Sequence, residues 1–208
     1  GHEAVVVEAD EFDRSFLHLH PSIAAITSMD ADHLDIYGEA EELRKTFLSF
    51  AEKVSDKSNF FFKKGLALEG NSIAIEEQAD YQVENVKVEN GSYFFDIKTP
   101  SKIVKDVEFS LPGKHNLMNV LAAFAMAETY EIATDKIKAS LKSFKGVERR
   151  FSYRIKSDNL VLIDDYAHHP TEISSVYQTI KEMYPEEKNM VIFQPHLFSR
   201  TQDFIKEF

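Results

Sequence analysis

The sequence predicts an α/β protein that has a mainly parallel sheet with a β-rich insertion. Short, uninterrupted runs of apolar residues are typical of parallel strands that are buried on both faces. Apolar residues that recur every three or four positions indicate amphipathic helices between those runs. Between residues 59 and 110 the apolar residues instead alternate with polar ones, which is typical of antiparallel or mixed β structure.

Two predicted strands open the chain, and acidic residues follow each of them. The strands are residues 4–7 and 23–27, and both runs are apolar. Ligands collect at the carboxyl ends of parallel strands, so acids at these positions favour a binding site over a solvated surface. The acids are Glu8, Asp10, Glu11 and Asp13 after the first run, and Asp30, Asp32 and Asp35 after the second.

The middle of the chain carries one predicted helix and several predicted strands. Within residues 39–54, apolar side chains recur at i, i+4, i+7, i+8 and i+11, which is the stripe of an amphipathic helix. Strands are expected at residues 81–88, 93–97 and 103–109, with turns at Asn71, residues 90–91 and Pro100.

Two further helices and a domain boundary are expected next. Asn116 is predicted to cap a helix whose inward face holds Leu117, Val120, Leu121 and Phe124. A second helix is expected at residues 134–144. The polar segment 146–150 separates this helix from a strand at 151–156, and it therefore indicates a boundary between residues 1–147 and 148–208.

The last part of the chain predicts one βαβ unit. A buried strand is expected at residues 160–163 and another at 190–193. Pro170 is predicted to open the helix between them. The inward side chains of that helix are Ile173, Val176, Tyr177 and Ile180. A further helix is expected to begin near Arg200.

Composition excludes several classes of protein. The chain has 208 residues and no cysteine, which excludes disulfide scaffolds, thiolate zinc sites and cysteine nucleophiles. A net charge of −11 opposes binding to nucleic acids or to anionic membranes. No apolar run approaches the ~20 residues of a membrane span, and the N-terminus lacks the pattern of a signal peptide. We therefore expect a cytoplasmic location.

The acids near the start of the chain are one candidate site. Together with His33 they offer hard oxygen ligands and one imidazole, a donor set that suits Mg²⁺ or Mn²⁺. The alternative is that these acids are solvated and that His33 caps a local turn. Their position after two predicted strands favours the metal site.

Two more candidate sites lie further along. Gly113-Lys114 lacks the earlier glycine and the following Ser or Thr of a phosphate loop, which leaves Asn116 and Asn119 one turn apart near a helix N-terminus, where their amides could bind a ligand. The alternative, which the spacing alone favours, is that Asn116 caps the helix and Asn119 is a surface residue. Residues 164–170 and 194–200 bring Asp and His residues to two strand ends. They could bind a metal, orient a nucleotide, or hold a carboxylate and an amine. Helix capping with exposed histidines is the alternative.

The chain resembles the Mur ligase family over essentially its whole length, because it carries five motifs of that family in the family's order. The resemblance implies that residues 1–147 are part of a central ATP-binding domain without its phosphate loop. Residues 148–208 would begin a Rossmann-like C-terminal domain with its first βαβ unit, and such a partial chain is not expected to be active alone. The motifs are Glu8-Ala9-Asp10-Glu11, Asp32-His33-Leu34-Asp35, Gly113-Lys114-His115-Asn116 with Asn119, Arg149-Arg150-Phe151, and Asp164-Asp165-Tyr166-Ala167-His168-His169-Pro170 with Gln194-Pro195-His196.

The resemblance implies ATP-dependent amide formation in the synthesis of peptidoglycan precursors, with ATP and Mg²⁺ as cofactors. The γ-phosphoryl group of ATP would pass to the carboxylate of UDP-N-acetylmuramate, and the amine of L-alanine would attack the acyl phosphate. The positions of residues in these motifs imply their roles. Glu8 and His33 would bind metal, and Asn116, Arg150 and Asp165 would bind ATP. Tyr166, His168, His196 and Arg200 would bind substrate, and His33, His168 and Arg200 would act in catalysis.

Two other functions remain open from the sequence. A ligase of the same family could attach a murein tripeptide instead of L-alanine. A metal-dependent phosphohydrolase could use the Asp and His residues to activate water, although it gives no role to Asn116, Asn119 or Arg150.

Overall fold

The computed structural model of the chain describes residues 4–30, 40–89, 92–157, 159–195 and 198–208. The helices are α1 (Ala40–Glu52), α2 (Lys114–Thr129), α3 (Thr134–Ser143), α4 (Pro170–Met183) and α5 (Phe198–Asp203), with 3-10 helices at Phe12–His18 and Lys57–Asn59. The strands are β1 (Ala24–Ile26), β2 (Phe60–Lys63), β3 (Asn71–Ile75), β4 (Tyr81–Glu89), β5 (Ser92–Lys98), β6 (Ile103–Phe109), β7 (Ser152–Lys156) and β8 (Val161–Asp164).

Strands β1 to β6 form one sheet in sequence order. The strands are parallel from β1 to β4 and antiparallel from β4 to β6. The predicted α/β class with a mainly parallel sheet is therefore confirmed. The β-rich stretch at residues 59–110 supplies β2 to β6, so it forms the body of this sheet and is not an insertion into it.

The parallel half of the sheet is covered on both faces. In β2, Phe60 and Phe62 point into one hydrophobic cluster and Phe61 into the other, because side chains alternate along a strand. The cluster around Phe60 contains residues of α1 and of the first 3-10 helix, including Phe16 and Phe50. All three phenylalanines of β2 are buried, which explains the uninterrupted apolar run.

Helix α2 forms the centre of the larger cluster. The predicted inward residues are Leu117, Val120, Leu121 and Phe124, and all four are buried. They pack against alternate residues of the antiparallel strands, such as Val83 and Ile97. The predicted helices at 39–54, 116 onward, 134–144 and 170 onward are all present, and α5 begins close to Arg200 as expected.

Two predicted strands are not formed. Residues 4–7 and 190–193 have no regular secondary structure, and Val6 and Ile192 are 93% and 90% exposed. An apolar run becomes a strand only where another strand can accept its hydrogen bonds. Among the described residues β1 pairs only with β2, and β8 pairs only with β7, in an antiparallel manner. The expected βαβ unit therefore lacks its second strand.

Four local predictions are also wrong. Helix α2 begins at Lys114 with Gly113 as its N-cap, so Asn116 lies inside the first turn and does not cap the helix. Asn71 begins β3 and does not form a turn. Leu160 and Leu162, expected to be buried, are exposed, and so is Tyr177 on α4. The bend at Pro100 is present, while the turn predicted at 90–91 lies outside the described residues.

Helix α4 packs closely on the N-terminus of α2. A Cβ atom at Gly113 would come within 2.9 Å of the Thr179 Oγ1 atom, so this approach requires glycine. The Gly113 N–H donates to the Tyr93 hydroxyl at 3.0 Å, and that hydroxyl donates to Glu182 of α4 at 3.4 Å. Sheet, α2 and α4 are thereby joined at one buried point.

His115 makes a second contact at this junction. Its Nδ1 atom lies 3.0 Å from the Ser175 hydroxyl of α4. Burial lowers the pKa of the His115 imidazole, and the smaller effects of nearby Asp165, Arg150 and Glu172 partly cancel. Of the helices within the described ranges, none combines the length and the apolar character needed to cross a bilayer.

Removal of the Tyr93 hydroxyl is expected to destabilise the chain. Tyr93→Phe leaves the buried Gly113 N–H without an acceptor, and such a loss costs about 1–3 kcal/mol. Urea unfolding should show this decrease in the free energy of unfolding. The control is Tyr130→Phe at an exposed tyrosine, and equal stability of the two variants would contradict the assigned contact.

Stability is expected to depend on the protonation of His115. The folded chain holds the pKa of His115 below that of an unfolded histidine, about 6.5, so the unfolded state binds more protons. The free energy of unfolding should therefore fall as the pH decreases below about 6.5. His115→Asn, which keeps a polar atom opposite Ser175, should weaken this dependence in denaturant titrations. His20→Asn at an exposed histidine should leave it as in the parent, and the same slope in all three proteins would contradict the assignment.

Candidate functional site

Three of the sequence motifs meet around the N-terminus of α2. His115 belongs to the motif at residues 113–116, and its pKa is influenced by Arg150 of the motif at 149–151 and by Asp165 of the motif at 164–170. Glu172, two residues beyond the motif at 164–170, acts on the same imidazole. The structure therefore brings together residues that are up to 57 positions apart in the sequence, from His115 to Glu172.

Arg150 lies in a tight turn between the two parts of the chain. Its neighbours Arg149 and Phe151 both have positive φ angles, 59° and 48°, which cost about 1–3 kcal/mol each in a residue other than glycine. The Asp165 carboxylate holds the turn, because its Oδ2 atom accepts the Phe151 N–H at 2.7 Å. The backbone N–H of Tyr166 donates to the Arg149 carbonyl at 2.8 Å.

Both carboxylate oxygens of Asp165 accept backbone N–H groups. Its second oxygen, Oδ1, accepts the Ala167 N–H at 2.7 Å. In this structure Asp165 therefore fixes the turn that carries Arg150. Direct binding of a nucleotide by Asp165 stays a prediction.

Asn116 lies in the first turn of α2. Its side-chain amide donates to the Pro112 carbonyl at 2.6 Å, and this bond fixes the segment that enters the helix. Asn119, one turn further on, is exposed. The expected pair of amide groups is thus present, with one member tied to the backbone.

His168, His169 and Glu172 form a capping box at the start of α4. The His169 imidazole accepts the Thr171 N–H at 3.3 Å, while the Glu172 carboxylate accepts the N–H groups of His168 and His169 at 3.0 and 3.3 Å. Glu172 also pairs with the Arg150 guanidinium at 3.5 Å. The helix start and the turn with Arg150 are thereby connected.

Glu172 and Ser175 were not among the sequence-predicted site residues. A signal for Glu172 exists, because it follows His169 by the three positions of a capping box and Pro170 stands at the first helical position. Histidine is an unusual N-cap, so this spacing is easily overlooked. Ser175 has no local signal, since its role depends on the approach of His115 from α2.

Several predicted site residues lie outside the described part of the structure. These are His33 and His196, and the side chain of Arg200 on α5. Glu8 is described and carries an exposed carboxylate, a donor that suits Mg²⁺. Within the described ranges, no group of three or more His, Asp or Glu side chains could hold a metal ion. The proposed ligand pair of Glu8 and His33 stays a prediction.

Cationic groups surround this junction. The Arg149 guanidinium stacks on the Tyr166 ring at 4.8 Å, and the Tyr166 ring also contacts the His168 ring with centroids 5.0 Å apart. Arg149 and Arg150 are exposed, and the charge of Arg150 acts on His115 in the first turn of α2. Guanidinium groups and a helix N-terminus are both suited to phosphate and carboxylate ligands. The arrangement therefore fits an anionic substrate.

Comparison with known proteins shows which protein family the chain resembles. The family model described as "Mur ligase middle domain" matches residues 1–127, and that described as "Mur ligase, glutamate ligase domain" matches residues 149–208. The chain is 61% identical to the UDP-N-acetylmuramate–L-alanine ligase of Flavobacterium johnsoniae and 58% identical to that of Christiangramia forsetii. Both matches cover 100% of this chain and 46% of the relative, so the chain spans about half the length of the curated relatives it matches.

Solved structures show the same fold. The crystal structure of the UDP-N-acetylmuramate-alanine ligase from Thermotoga maritima is 26% identical, with a TM-score of 0.71 over 92% of this chain and 45% of that one. MurF from Acinetobacter baumannii is 20% identical with a TM-score of 0.67, over 77% of this chain and 37% of that one, and it supports the fold alone. Since one family model covers more than half of the sequence and a second covers most of the rest, the chain belongs to the Mur ligase family.

Proposed function

We propose that this chain is part of an ATP-dependent ligase that joins L-alanine to UDP-N-acetylmuramate in the synthesis of peptidoglycan precursors. The observation that carries the proposal is the 61% identity, over all 208 residues, to a relative that bears this name. The grouping of Arg150 and His168 around Glu172, with Asp165 holding the turn of Arg150, supports it, because amide formation from a carboxylate and ATP must bring anions together. The proposed location is the cytoplasm.

We propose the same division of the chain that the sequence indicates. Residues 1–147 belong to a central ATP-binding domain, and residues 148–208 begin a C-terminal domain. Two family models, matched to residues 1–127 and 149–208, support this division. The exposed apolar runs at residues 4–7 and 190–193 support the view that both domains are partial here, since such runs are normally buried.

The proposed nucleotide side consists of Asn116, Arg150 and Asp165. Bound ATP and Mg²⁺ would supply the phosphoryl group and the positive charge that neutralises it. The Arg150 guanidinium, presented by its strained turn, would contact the nucleotide from the C-terminal side. Asp165 would act by holding that turn through the Phe151 N–H. Glu8 and His33 are the proposed metal ligands.

The proposed acceptor side consists of Tyr166, His168, His196 and Arg200. L-Alanine carries a carboxylate, which a guanidinium such as that of Arg200 recognises well. Its amine must lose a proton before or during the attack, and a histidine is suited to accept it. Tyr166 contacts His168 edge to face and would limit the space around it.

Release of ADP by the full-length protein that contains this chain tests the proposal. Release is expected to require both UDP-N-acetylmuramate and L-alanine, because the acyl phosphate needs an amine acceptor to react productively. A coupled ADP assay measures it, with reactions that contain a murein tripeptide or no acceptor as controls. Release that requires the tripeptide would reassign the acceptor, and phosphate release without any acceptor would favour a phosphohydrolase.

Substitution of the proposed metal ligands tests the metal site. In the full-length protein, Glu8→Ala and His33→Ala are expected to abolish ligation, because the negative charge of the phosphates would lose its counter-ion. The melting temperature should change little for Glu8→Ala, since Glu8 is exposed. Glu69→Ala, at another exposed glutamate, serves as the acidic control. Near-normal turnover of both metal-site variants would remove Glu8 and His33 from the site.

A further inference from the structure

Glu172 connects the two sides of the proposed site through one carboxylate. Its Oε2 atom accepts the backbone N–H groups of His168 and His169 at 3.0 and 3.3 Å. Its Oε1 atom lies 3.5 Å from the Arg150 Nη1 atom. The proposed nucleotide residue Arg150 and the proposed acceptor residue His168 therefore share an anionic neighbour.

The Glu172 carboxylate is held in its charged form. Burial is the largest effect and would raise the pKa of this group, but the N–H bonds from His168 and His169, the nearby His168 imidazole and, to a smaller extent, the charge of Arg150 together hold it below the usual value for glutamate. The N-terminus of α4 adds to this effect, because the helix dipole stabilises negative charge in the first turn. A charged group at this point attracts a guanidinium more strongly than a neutral cap could.

The surroundings of His168 fix its tautomer. Its Nδ1 atom lies 2.8 Å from the Tyr166 carbonyl oxygen and 3.6 Å from Glu172 Oε2. A carbonyl and a carboxylate only accept hydrogen bonds, so the proton of a neutral imidazole belongs on Nδ1. The other ring nitrogen, Nε2, then carries the lone pair and can accept a proton or a hydrogen bond.

The turn that carries Arg150 leaves its side chain to be oriented by Glu172. The backbone is fixed by Asp165 and by the positive φ angles on both sides, while the side chain is exposed. Ordering a free arginine side chain costs conformational entropy. A partner that orders the guanidinium before the nucleotide arrives reduces this cost on binding.

We propose that Glu172 is a positioning residue of the ligase. It directs the Arg150 guanidinium toward the nucleotide and holds the segment that presents His168 in its Nδ1-protonated form. It touches neither substrate. This inference rests on the proposed function, and it goes beyond the helix-capping role that the backbone contacts alone would give to Glu172.

Two substitutions distinguish the negative charge of Glu172 from its role as a cap of helix α4. Glu172→Gln keeps an oxygen that can accept the N–H groups of His168 and His169, but it removes the charge. Glu172→Asp keeps the charge on a shorter side chain. If the charge of Glu172 matters, the ATP dissociation constant of Glu172→Asp should be closer to the parent value than that of Glu172→Gln. If only helix capping matters, the ATP dissociation constant of Glu172→Gln should be the closer of the two.

A double-mutant cycle in the full-length protein tests the coupling to Arg150. Calorimetric titration with ATP and Mg²⁺ should give a dissociation constant raised about threefold to fivefold by Glu172→Gln, the range of a partly exposed ion pair. The same substitution should have no effect on ATP binding in an Arg150→Ala background. The control Glu186→Gln removes a charge from the exposed segment that follows α4 and should bind ATP as the parent does. Thermal melting checks that each variant is folded.

The KM for L-alanine tests the effect of Glu172 on the acceptor side of the site. Glu172→Ala, which removes the acceptor of the His168 and His169 N–H groups, should raise the KM for L-alanine in the Arg150→Ala background as well, because the segment with His168 is held independently of Arg150. Equal effects on ATP binding in both backgrounds, or unchanged binding by Glu172→Gln, would overturn the inference. Absence of L-alanine-dependent ADP release by the parent would instead overturn the proposed function, and the ATP titrations would still decide the coupling between Glu172 and Arg150.

Discussion

The packing of α4 on the N-terminus of α2 is the contact on which the candidate site depends. Gly113 permits this approach, since a Cβ atom there would lie 2.6 Å from the His115 ring and 2.9 Å from Thr179. Its N–H is bound to Tyr93, a strand residue of the main core, so the start of α2 is fixed to the sheet. Helix α4 is then placed by Thr179 and by Ser175 against His115. Arg150 and His168 are linked to this junction through Glu172 of α4.

The acidic side chains at this junction are bound by groups of the chain itself, and these bonds determine the electrostatic potential that a ligand would meet there. The chain has a net charge of −11, which would repel a nucleotide from most of its surface. At the site, however, both oxygens of Asp165 accept backbone N–H groups, and Glu172 is bound by two more and by Arg150. Those bonds offset much of the negative charge. The exposed guanidinium groups of Arg149 and Arg150 remain available to an anion.

A second constraint on the fold is that both faces and both edges of the parallel sheet need neighbouring elements to bury their apolar residues. Its parallel half is covered by α1 on one face and by α2 on the other, and the phenylalanines of β2 are buried on both. The runs at residues 4–7 and 190–193 have the same composition as buried strands, yet they are exposed because β1 and β8 each pair with one strand in the described structure. The chain spans about half the length of its curated relatives, and parallel strands pair with partners that lie far away in sequence.

The sequence by itself determined the helices, the α/β class, the family and the order of the motifs. Apolar periodicity is a local property, so residues such as Leu117 and Phe124 could be assigned to a buried helix face without knowledge of their neighbours. The tertiary structure decided which apolar runs become strands, because pairing needs a second strand. It also decided that Asp165 holds a turn, that Ser175 meets His115 and that Glu172 reaches Arg150. These contacts join residues that are 14, 60 and 22 positions apart, and only the packed chain brings them within hydrogen-bonding distance.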